Sequence, residues 1–369
     1  MPRNVPRTVL QVDLKRLREN FAAIKRSIAP CRALAVVKTD AYGLGMMPVA
    51  EALRDEADAF AVAEVADGIA LTPLGKPVIA LGALFPDEIE SAVETGLVLP
   101  VGSEKAARRV SEAACKAGKT AEISVVVDGG MGRVGFPLAE ALPRIFSIAR
   151  LPHLALRGIY THCPAASLRN DAGTLRETAD FRHLVENLAG KGVAFRDVHI
   201  AASDAINSYL ETIEPPFNLA RIGLLMYGAQ KFSRFDLPGV CRFVSRLLEI
   251  RRLPAQSTLG YGRTYSLKKD SVVGTVGCGY ACGMPLALSN RGRVLVRGVS
   301  CPVVGRVSMD YATVLLDGVP DAAVGDEAVL FGEQGNARID PSEWAEIKGT
   351  HVHDIFCSIS GRIPRSYHK

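Results

Sequence analysis

From residue 33 to about residue 223 the hydrophobic pattern consists of short apolar runs separated by amphipathic segments. The separating segments are rich in Ala, Glu and Arg, as expected of helices that pack on a sheet with one face. This alternation is typical of repeated βα units and a parallel sheet. Eight apolar runs occur, the number of strands that a closed βα barrel requires. The runs are ALAVV, AFAVA, PVIAL, LVLPV, EISVVVD, LRGIYTH, DVHIAAS and NLARIG.

The pattern changes after about residue 240. Short alternating runs rich in Val, Gly and Arg, such as SVVGTVGCGY and EAVLFG, predict a mostly antiparallel β domain. The opening stretch TVLQVDL also alternates and is a candidate strand of that second domain. We therefore predict an α/β protein with a (βα)8 TIM-like barrel over residues 1–235, of which residues 1–12 are the candidate donated strand, and a mostly antiparallel β domain over residues 236–369.

Composition and charge narrow the class of protein. A chain of 369 residues with 48% hydrophobic and 22% charged residues suits two soluble domains. The 44 basic and 39 acidic residues are scattered, and the net charge of +5 includes no basic block, so we expect no nucleic-acid partner. No run approaches the ~18 apolar residues of a membrane span, so we expect a cytoplasmic protein without membrane contact.

The cysteines and histidines lack the spacing of a metal site. The eight cysteines include no C-x-x-C pair, and we interpret them as reduced, mostly buried thiols. Cys278 and Cys282 have no second pair of ligands near them. The stretch HVHD at residues 351–354 is interpreted as a polar helix or strand edge. We predict no metal site.

Polar side chains follow several of the predicted barrel strands. In βα barrels the chemistry lies at the carboxyl ends of the strands. Predicted strand one ends at Lys38, strand six at His162 and strand seven at Ser203, while Arg133 follows strand five and Arg221 lies in strand eight. Each residue alone has an ordinary structural explanation, such as a solvated lysine or a hydrogen-bonded packing histidine. Their convergence on one rim indicates an active site.

The run GMGRVG at residues 130–135 allows two interpretations. It matches G-x-G-x-x-G after a predicted strand, which would suit a nicotinamide or flavin enzyme. Two features count against this. Arg133 lies where a pyrophosphate would have to approach the backbone closely, and the next strand ends in His162 rather than in the acidic residue that would bind the ribose. A carbonyl cofactor held as an imine by Lys38, with its phosphate on helix amino ends after strands seven and eight, fits better. The phosphate donors would be Tyr42, Ser203 and the amides of Gly223 and Leu224.

Seven motifs occur in an order that resembles a known enzyme family. AVVKTDAYGLG, DGGMGRVG, YTH, ARIGLLMYG, LGYGRTY, GRVSMD and CSISGRIPR stand at roughly the spacings of the alanine racemases, which are fold-type III pyridoxal-phosphate enzymes with a βα barrel and a carboxyl-terminal β domain. The resemblance covers about residues 8–367. It implies pyridoxal 5'-phosphate as cofactor, a small L-amino acid converted to its D-form as substrate, and a homodimer with shared active sites.

The resemblance also implies roles for individual residues. Lys38 would hold the cofactor and act as one base, and Tyr261 of the partner subunit would act as the other. Racemisation needs a base on each face of a planar carbanion, one to remove the α-proton and one to return it from the opposite side. His162, bonded to this tyrosine and to Arg221, would favour its phenolate form, and Arg221 would keep the pyridine nitrogen neutral because it does not release its proton. The substrate would meet Arg133, Met309, Asp310, Tyr280 and Gly361.

Four positions depart from the family pattern. The lysine that braces Arg133 in the family is Val126 here, an asparagine is Ala202, and the aspartate of the gate motif is Cys282. The tyrosine that bonds the phosphate and crowds the substrate in the family is Gly361. Losing a phenol opens volume beside the α-substituent and removes one phosphate donor. We therefore expect alanine as substrate, with serine or a broader range of side chains also accepted.

Two other functions are compatible with the resemblance. A non-catalytic pyridoxal-phosphate carrier on a similar barrel would need neither Tyr261 nor the β domain. A fold-type III amino-acid decarboxylase would carry an acidic residue where this chain has Arg221. The racemase is the favoured interpretation.

Overall fold

Eight parallel strands form the first part of the molecule. The computed structural model describes residues 6–229 and 233–369, so residues 1–5 and 230–232 of the predicted barrel segment 1–235 lie outside the described residues. The first ten strands are β1 (Val9–Asp13), β2 (Arg32–Val36), β3 (Ala59–Val62), β4 (Val78–Ala80), β5 (Leu99–Val101), β6 (Ala121–Asp128), the two-residue β7 (Phe136–Pro137), β8 (Leu154–Tyr160), β9 (Asp197–His199) and β10 (Leu219–Ile222).

The parallel strands close into a barrel. They are ordered β10-β2-β3-β4 and β5-β6-β8-β9, with every neighbouring pair parallel. A parallel bridge between Ile79 and Val98 joins β4 to β5. The amides of Asn218 and Arg221 donate to the carbonyls of Val198 and Ala201, at 2.9 and 3.1 Å, and join β9 to β10. All eight predicted runs form barrel strands, which confirms the predicted barrel.

Helices connect the strands and pack outside them. Helix α6 (Glu104–Lys116) illustrates why these segments are helical: Ser103 caps it by accepting a hydrogen bond from the amide of Ala106, and its buried residues follow a helical period. The helices are α1 (Leu14–Ser27), α2 (Lys38–Gly43), α3 (Met46–Leu53), α4 (Val65–Leu71), α5 (Ile89–Thr95), α6 (Glu104–Lys116), α7 (Leu138–Ile148), α8 (Ala172–Gly190), α9 (Ser203–Ser208), α10 (Pro341–Lys348) and α11 (Val352–Cys357). No helix within the described ranges has both the length and the apolar composition to cross a membrane.

Three of the predicted strand ends are wrong. Strand β2 ends at Val36 rather than at Lys38, β8 ends at Tyr160 rather than at His162, and β9 ends at His199 rather than at Ser203. In each place burial continues beyond the last paired residue, at Val37, Thr161 and Ile200. Ser203 instead begins helix α9.

The second part of the molecule is a mostly antiparallel β domain, as predicted. Its largest sheet has the order β16-β15-β18-β11-β1-β20, and the pairs are antiparallel except β1 with β20. The strands are β11 (Cys241–Leu253), β12 (Thr258–Leu259), β13 (Tyr265–Ser266), β14 (Ser271–Val276), β15 (Arg293–Val296), β16 (Val299–Pro302), β17 (Ala312–Leu315), β18 (Glu327–Gln334), β19 (Ala337–Ile339) and β20 (Arg365–His368).

The amino-terminal strand lies inside this sheet rather than in the barrel. Leu10 of β1 pairs with Phe243 of β11 on one side and with Arg365 of β20 on the other. Leu10 and Val12 are buried and alternate with partly exposed neighbours, the pattern of a strand with one face on a core. The barrel therefore begins, in three dimensions, with helix α1.

An aromatic core fixes helix α11 against both domains. Phe356 of α11 packs on Phe331 of the sheet, with ring centroids 6.0 Å apart. It also contacts Tyr227 of the barrel edge-on at 6.4 Å. Trp344 of α10 closes the cluster by packing edge-on against Phe331 at 5.3 Å. Helix α11 is thereby held at the junction of barrel and β domain.

Candidate active site

A cavity of about 480 Å³ opens at the carboxyl ends of the barrel strands. This volume lies within the usual ~300–1,000 Å³ of small-molecule sites. We call it the Lys38 cavity. Eight predicted site residues line it: Lys38, Tyr42, Arg133, His162, Ser203, Arg221, Gly223 and Leu224.

Lys38 stands at the start of a left-handed turn. Thr39–Tyr42 all have φ between 52° and 61°, although none of them is glycine. Such a conformation costs roughly 1–2 kcal/mol per residue, so the surrounding structure must impose it. Within the turn, Asp40 Oδ1 accepts a 2.7 Å hydrogen bond from the amide of Met46, and Asp40 O accepts one from Gly45 at 2.9 Å. The turn places the lysine amine and the Tyr42 phenol in the same cavity.

The β domain holds this turn from outside. Arg365 of β20 donates from Nε to the carbonyl of Gly43 at 3.0 Å. Tyr367 of the same strand donates from its hydroxyl to the carbonyl of Leu44 at 3.0 Å. Strained backbone at the Lys38 turn is thus stabilised by contacts from the carboxyl-terminal strand.

The environment of Lys38 disfavours its charged form. Burial, followed by the positive charges of Arg133 and Arg221, lowers the pKa of the Lys38 amine below its ordinary value, with the Cys357 thiol acting in the opposite direction. A larger fraction of the amine is therefore neutral and nucleophilic near neutral pH than for a lysine in water.

Arg221 is a buried cation held by neutral acceptors. Only 5% of it is exposed. Its Nη2 donates to the carbonyls of Thr161 at 2.8 Å and Ile200 at 2.7 Å, and its Nη1 lies 2.7 Å from Nδ1 of His199. Nη2 also lies 3.4 Å from Nδ1 of His162. Burial lowers the pKa of Arg221 to about 10, which leaves it protonated at neutral pH.

These contacts fix the protonation of two histidines. Because a guanidinium only donates hydrogen bonds, Nδ1 of His162 and of His199 must accept, and each neutral ring carries its proton on Nε2. Burial, then the charges of Arg221, Arg133 and Lys38, lowers the pKa of His162 to about 3. His162 therefore presents an N–H donor, and is neutral, at physiological pH.

A second group of donors lies at another end of the cavity. Ser203 Oγ accepts hydrogen bonds from the amides of Gly223 at 3.1 Å and Leu225 at 3.2 Å, so its own O–H is free to donate. The amide of Gly223, predicted as a phosphate donor, already donates to the Ser203 hydroxyl, so an anion that binds this amide would have to displace that hydroxyl. Burial, assisted by the Cys357 thiol, raises the pKa of Tyr42, which keeps its phenol a neutral donor. A Cβ added at Gly223 would lie 2.4 Å from the Tyr42 hydroxyl oxygen.

Arg133 lies on an exposed turn above the cavity. Asp128 shapes this turn, because its Oδ1 accepts hydrogen bonds from the amides of Gly130 and Gly132 at 3.0 Å each. Val126, which stands where the family pattern has a lysine that braces the arginine, is buried in the cavity wall and presents an aliphatic surface there. Arg133 nevertheless exerts its charge on Lys38 and His162.

The predicted site residues of the β domain lie outside the Lys38 cavity. Tyr261, Tyr280 and Met309 are 71%, 47% and 55% exposed, and none of them lines the cavity within the described chain. Asp310 does not line it either, and we call these four residues the β-domain loop group. Gly361 is also outside the cavity wall, and a Cβ added there would meet no atom within 4 Å.

Contacts between loops hold part of this group together. The amide of Tyr280 donates to the carbonyl of Ser308 at 3.0 Å, which joins the Tyr280 turn to the loop carrying Met309. Arg362 Nη2 donates to Asp310 Oδ1 at 2.8 Å and to the sulfur of Cys282 at 3.3 Å. Cys282 thus accepts from an arginine as a carboxylate would.

Cys282 has the charge as well as the position of an acceptor. A hydrogen bond from Cys278 lowers the pKa of the Cys282 thiol to about 5, against the opposing effect of burial, and the Gly279 amide and Arg362 act in the same direction as Cys278. All eight cysteines are free thiols, and six of them are buried. Of the four positions that depart from the family pattern, Cys282 is therefore the one whose side chain is negatively charged near neutral pH.

Sequence reasoning missed several residues of the site. His199 bonds Arg221 and stacks on Tyr160 with ring centroids 4.9 Å apart, but it stands inside an apolar run and resembles a core residue. Asp204 and His353 also line the cavity, as does Ala202. His353 belongs to the HVHD stretch, whose spacing carried no signal of a site.

Comparison with known proteins places these residues in a family context. The family model described as "Alanine racemase, N-terminal domain" matches residues 12–231, and the model described as "Alanine racemase, C-terminal domain" matches residues 240–367. The alanine racemase of Syntrophobacter fumaroxidans is 34% identical over 367 residues, covering 97% of each chain. That of Geobacter sulfurreducens is 35% identical over 374 residues, covering 98% of this chain and 97% of the relative.

Solved structures give the same result. The alanine racemase from D-cycloserine-producing Streptomyces lavendulae superimposes with a TM-score of 0.92 at 28% identity, covering 99% of this chain and 98% of that one. The alanine racemase of Clostridium difficile 630 gives a TM-score of 0.90 at 29% identity, covering 99% and 96%. Because both family models and full-length relatives match across both domains, the chain belongs to the alanine racemase family.

Proposed function

We propose that this protein is a pyridoxal-phosphate-dependent racemase that interconverts the L- and D-forms of a small amino acid, with alanine as its principal substrate. The observation that carries the proposal is the joint placement of Lys38 and Arg221 in one cavity with the donors Tyr42 and Ser203, in a chain whose full-length relatives are alanine racemases. We infer that serine is a second substrate: Gly361 lies outside the Lys38 cavity of its own chain, but it replaces a phenol that crowds the substrate in the family pattern, and a Cβ added there would meet no atom within 4 Å.

The residues of the cavity fit pyridoxal phosphate. Tyr42 and Ser203 provide neutral O–H donors suited to a phosphate ester. Gly223 leaves room beside the Tyr42 hydroxyl that any larger residue would fill. When bound, pyridoxal phosphate supplies the electron sink that makes the α-proton of an amino acid acidic.

Lys38 has two tasks in this proposal. Its amine, partly neutral because burial and neighbouring cations lower its pKa, would hold the cofactor covalently. Once released by an incoming amino acid, the same Nζ takes or returns the α-proton on one face of the substrate. The neighbouring cations that make the amine nucleophilic also keep it from retaining a proton too firmly.

Arg221 determines how strong the electron sink is. A guanidinium with a pKa of about 10 donates a hydrogen bond without giving up its proton at neutral pH, so a ring nitrogen facing it stays neutral. Arg221 would thereby weaken the electron sink, which would favour return of the α-proton to the substrate over side reactions. A decarboxylase would be expected to place a carboxylate here.

In this proposal the second base comes from another chain. Tyr261 is 71% exposed and lies outside the Lys38 cavity of its own chain. We infer that Tyr261 of the partner subunit enters the cavity opposite Lys38 in a homodimer. The Nε2–H of His162 would then donate to the phenol oxygen and stabilise its basic form.

Complementation between subunits tests the shared site. Lys38→Ala and Tyr261→Phe are each expected to abolish racemisation, measured as deuterium exchange at the α-carbon of L-alanine and L-serine in heavy water. Unfolding and refolding an equal mixture should restore about a quarter of the wild-type rate, because half of the dimers are mixed and each has one intact site of two. Either variant refolded alone is the control. If the mixture regains no activity, the two bases either come from the same subunit or do not both act in the site, and the shared site is refuted.

The same samples distinguish the alternative functions. Tyr261→Phe should remain yellow and should bleach with borohydride, whereas Lys38→Ala should not. A wild-type protein that is yellow but exchanges no α-proton would be a carrier. Release of carbon dioxide from the amino acid would indicate a decarboxylase.

A further inference from the structure

His353 belongs to the β domain but lies in the wall of the Lys38 cavity. It is the second residue of α11, and the other described residues that line the cavity come from the barrel. Its ring packs against that of Tyr42, with centroids 5.6 Å apart and planes inclined by 41°. Helix α11 is fixed at this junction by Phe356 and Tyr227, so the position of the imidazole is set by the fold.

The contact with Tyr42 places His353 at the donor end of the cavity. The Tyr42 hydroxyl lies beside Gly223, whose amide bonds Ser203. Asp204, next to Ser203 at the start of α9, lines the same cavity. The described lining residues at this end are therefore neutral donors, one carboxylate and one imidazole. A phosphate dianion placed here would need a positive charge to balance it.

The groups that face His353 act in both directions on its charge. Burial lowers the pKa of His353, Asp204 of α9 raises it, and Lys38 of α2 and His351, which precedes α11, lower it. Tyr42 is neutral at these pH values. The balance favours the neutral ring, and an added phosphate would act in the same direction as Asp204, toward the protonated ring.

We propose that His353 is a cofactor-binding residue that takes up a proton from solvent when a phosphate ester binds and donates a charge-assisted hydrogen bond to it. This inference rests on the proposed function, because it requires a phosphate-bearing cofactor. Lys38 and Arg221 are assigned to the amine and ring-nitrogen positions, and the exposed Arg133 is assigned to the substrate. Gly361 supplies no phenol, so His353 provides the positive charge at the phosphate end.

The test compares pyridoxal phosphate with pyridoxal, which has the same ring and aldehyde but no phosphate. Cofactor-free wild type and His353→Gln are titrated with each compound, followed by visible absorbance. His353→Gln is expected to bind pyridoxal phosphate about 10- to 100-fold more weakly and to bind pyridoxal as wild type does. Calorimetry in two buffers of different ionisation enthalpy should show proton uptake on binding of the phosphate ester by wild type and none by His353→Gln.

Two further variants make the test decisive. His353→Arg keeps a positive donor and should retain the preference for the phosphate ester without proton uptake. His183→Gln, at an exposed histidine of α8 remote from the cavity wall, should behave as wild type in every measurement. Equal losses for both compounds, or an unchanged ratio of their affinities in His353→Gln, would overturn the role of His353 while leaving the racemase intact. If wild type binds neither compound, the proposed function fails and this inference fails with it.

Discussion

Replacing Gly223 with alanine would place one methyl group against the Tyr42 phenol. The added Cβ would lie 2.4 Å from the hydroxyl oxygen and 3.3 Å from Cζ, whereas ordinary contacts begin at 3.4 Å. The phenol oxygen must therefore move by about 1 Å, the difference between 3.4 and 2.4 Å. Tyr42 is buried, with its ring edge-on to Tyr227 at 5.5 Å and against His353 at 5.6 Å, so it has little room to turn aside.

The size of the effect follows from one hydrogen bond. A hydrogen bond to a charged group contributes about 1.5–3 kcal/mol, and a displacement of about 1 Å removes it. We expect Gly223→Ala to weaken binding of pyridoxal phosphate by about 10- to 150-fold and also to lower the thermal stability of the cofactor-free protein, because the clash lies at a buried site. Gly190→Ala, also at a glycine without a left-handed φ and with no atom within 4 Å of the added Cβ, should bind as wild type does.

A double-mutant cycle separates the clash from other causes. Tyr42→Phe removes both the hydrogen bond and the colliding oxygen, leaving Cζ at 3.3 Å as the nearest atom of the ring. Gly223→Ala combined with Tyr42→Phe should then bind the cofactor about as well as Tyr42→Phe alone. Additive losses in the double variant, or a Gly223→Ala protein with wild-type affinity, would refute the reasoning.

Three other changes have defined outcomes. Gly361→Tyr should narrow turnover toward alanine, whereas Gly361→Ala should leave the ratio of alanine to serine rates as in wild type; an unchanged ratio in both would contradict the substrate hypothesis. The pKa of His162 is 6.5 in the unfolded chain and about 3 in the folded protein, so the unfolded state takes up the proton first as the pH falls. The free energy of unfolding therefore decreases through this window, and His162 accounts for a loss of about 2 kcal/mol at pH 5. His162→Asn should remove that part of the slope in urea unfolding between pH 7 and 5, and parallel slopes would count against it. Cys282→Asp should keep the wild-type KM for alanine because it preserves the anion that accepts from Arg362, and Cys282→Ser should raise it; the opposite order would show that charge at this position is unimportant.

The barrel was predictable because its strands are buried on both faces and its helices on one. Each parallel strand therefore appears as a continuous apolar run, and the runs could be counted. The ends of β2, β8 and β9 were predicted too late, because buried residues continue past the last paired residue of each strand. Apolarity reports burial, and only the backbone pairing defines the strand.

The arrangement of the candidate site was only partly accessible from sequence. Lys38 and Arg221 were found because strand ends converge on one rim. The left-handed turn at Thr39–Tyr42 was not, because it contains no glycine and is imposed by distant strand β20. His353 was passed over for a similar reason: its role depends on where the aromatic core places α11, which no local pattern records.

The insertion of β1 between β11 and β20 has a consequence for biosynthesis. Leu10 of β1 pairs with Phe243 and Arg365, which lie 233 and 355 positions further along the chain, so during synthesis β1 waits for β11 and still longer for β20. Arg365 and Tyr367 contact the Lys38 turn from positions that lie 322 and 323 residues after the carbonyls they bind. The Lys38 turn therefore gains this support only after β20 has been made, and a product truncated before β20 would have a barrel without it.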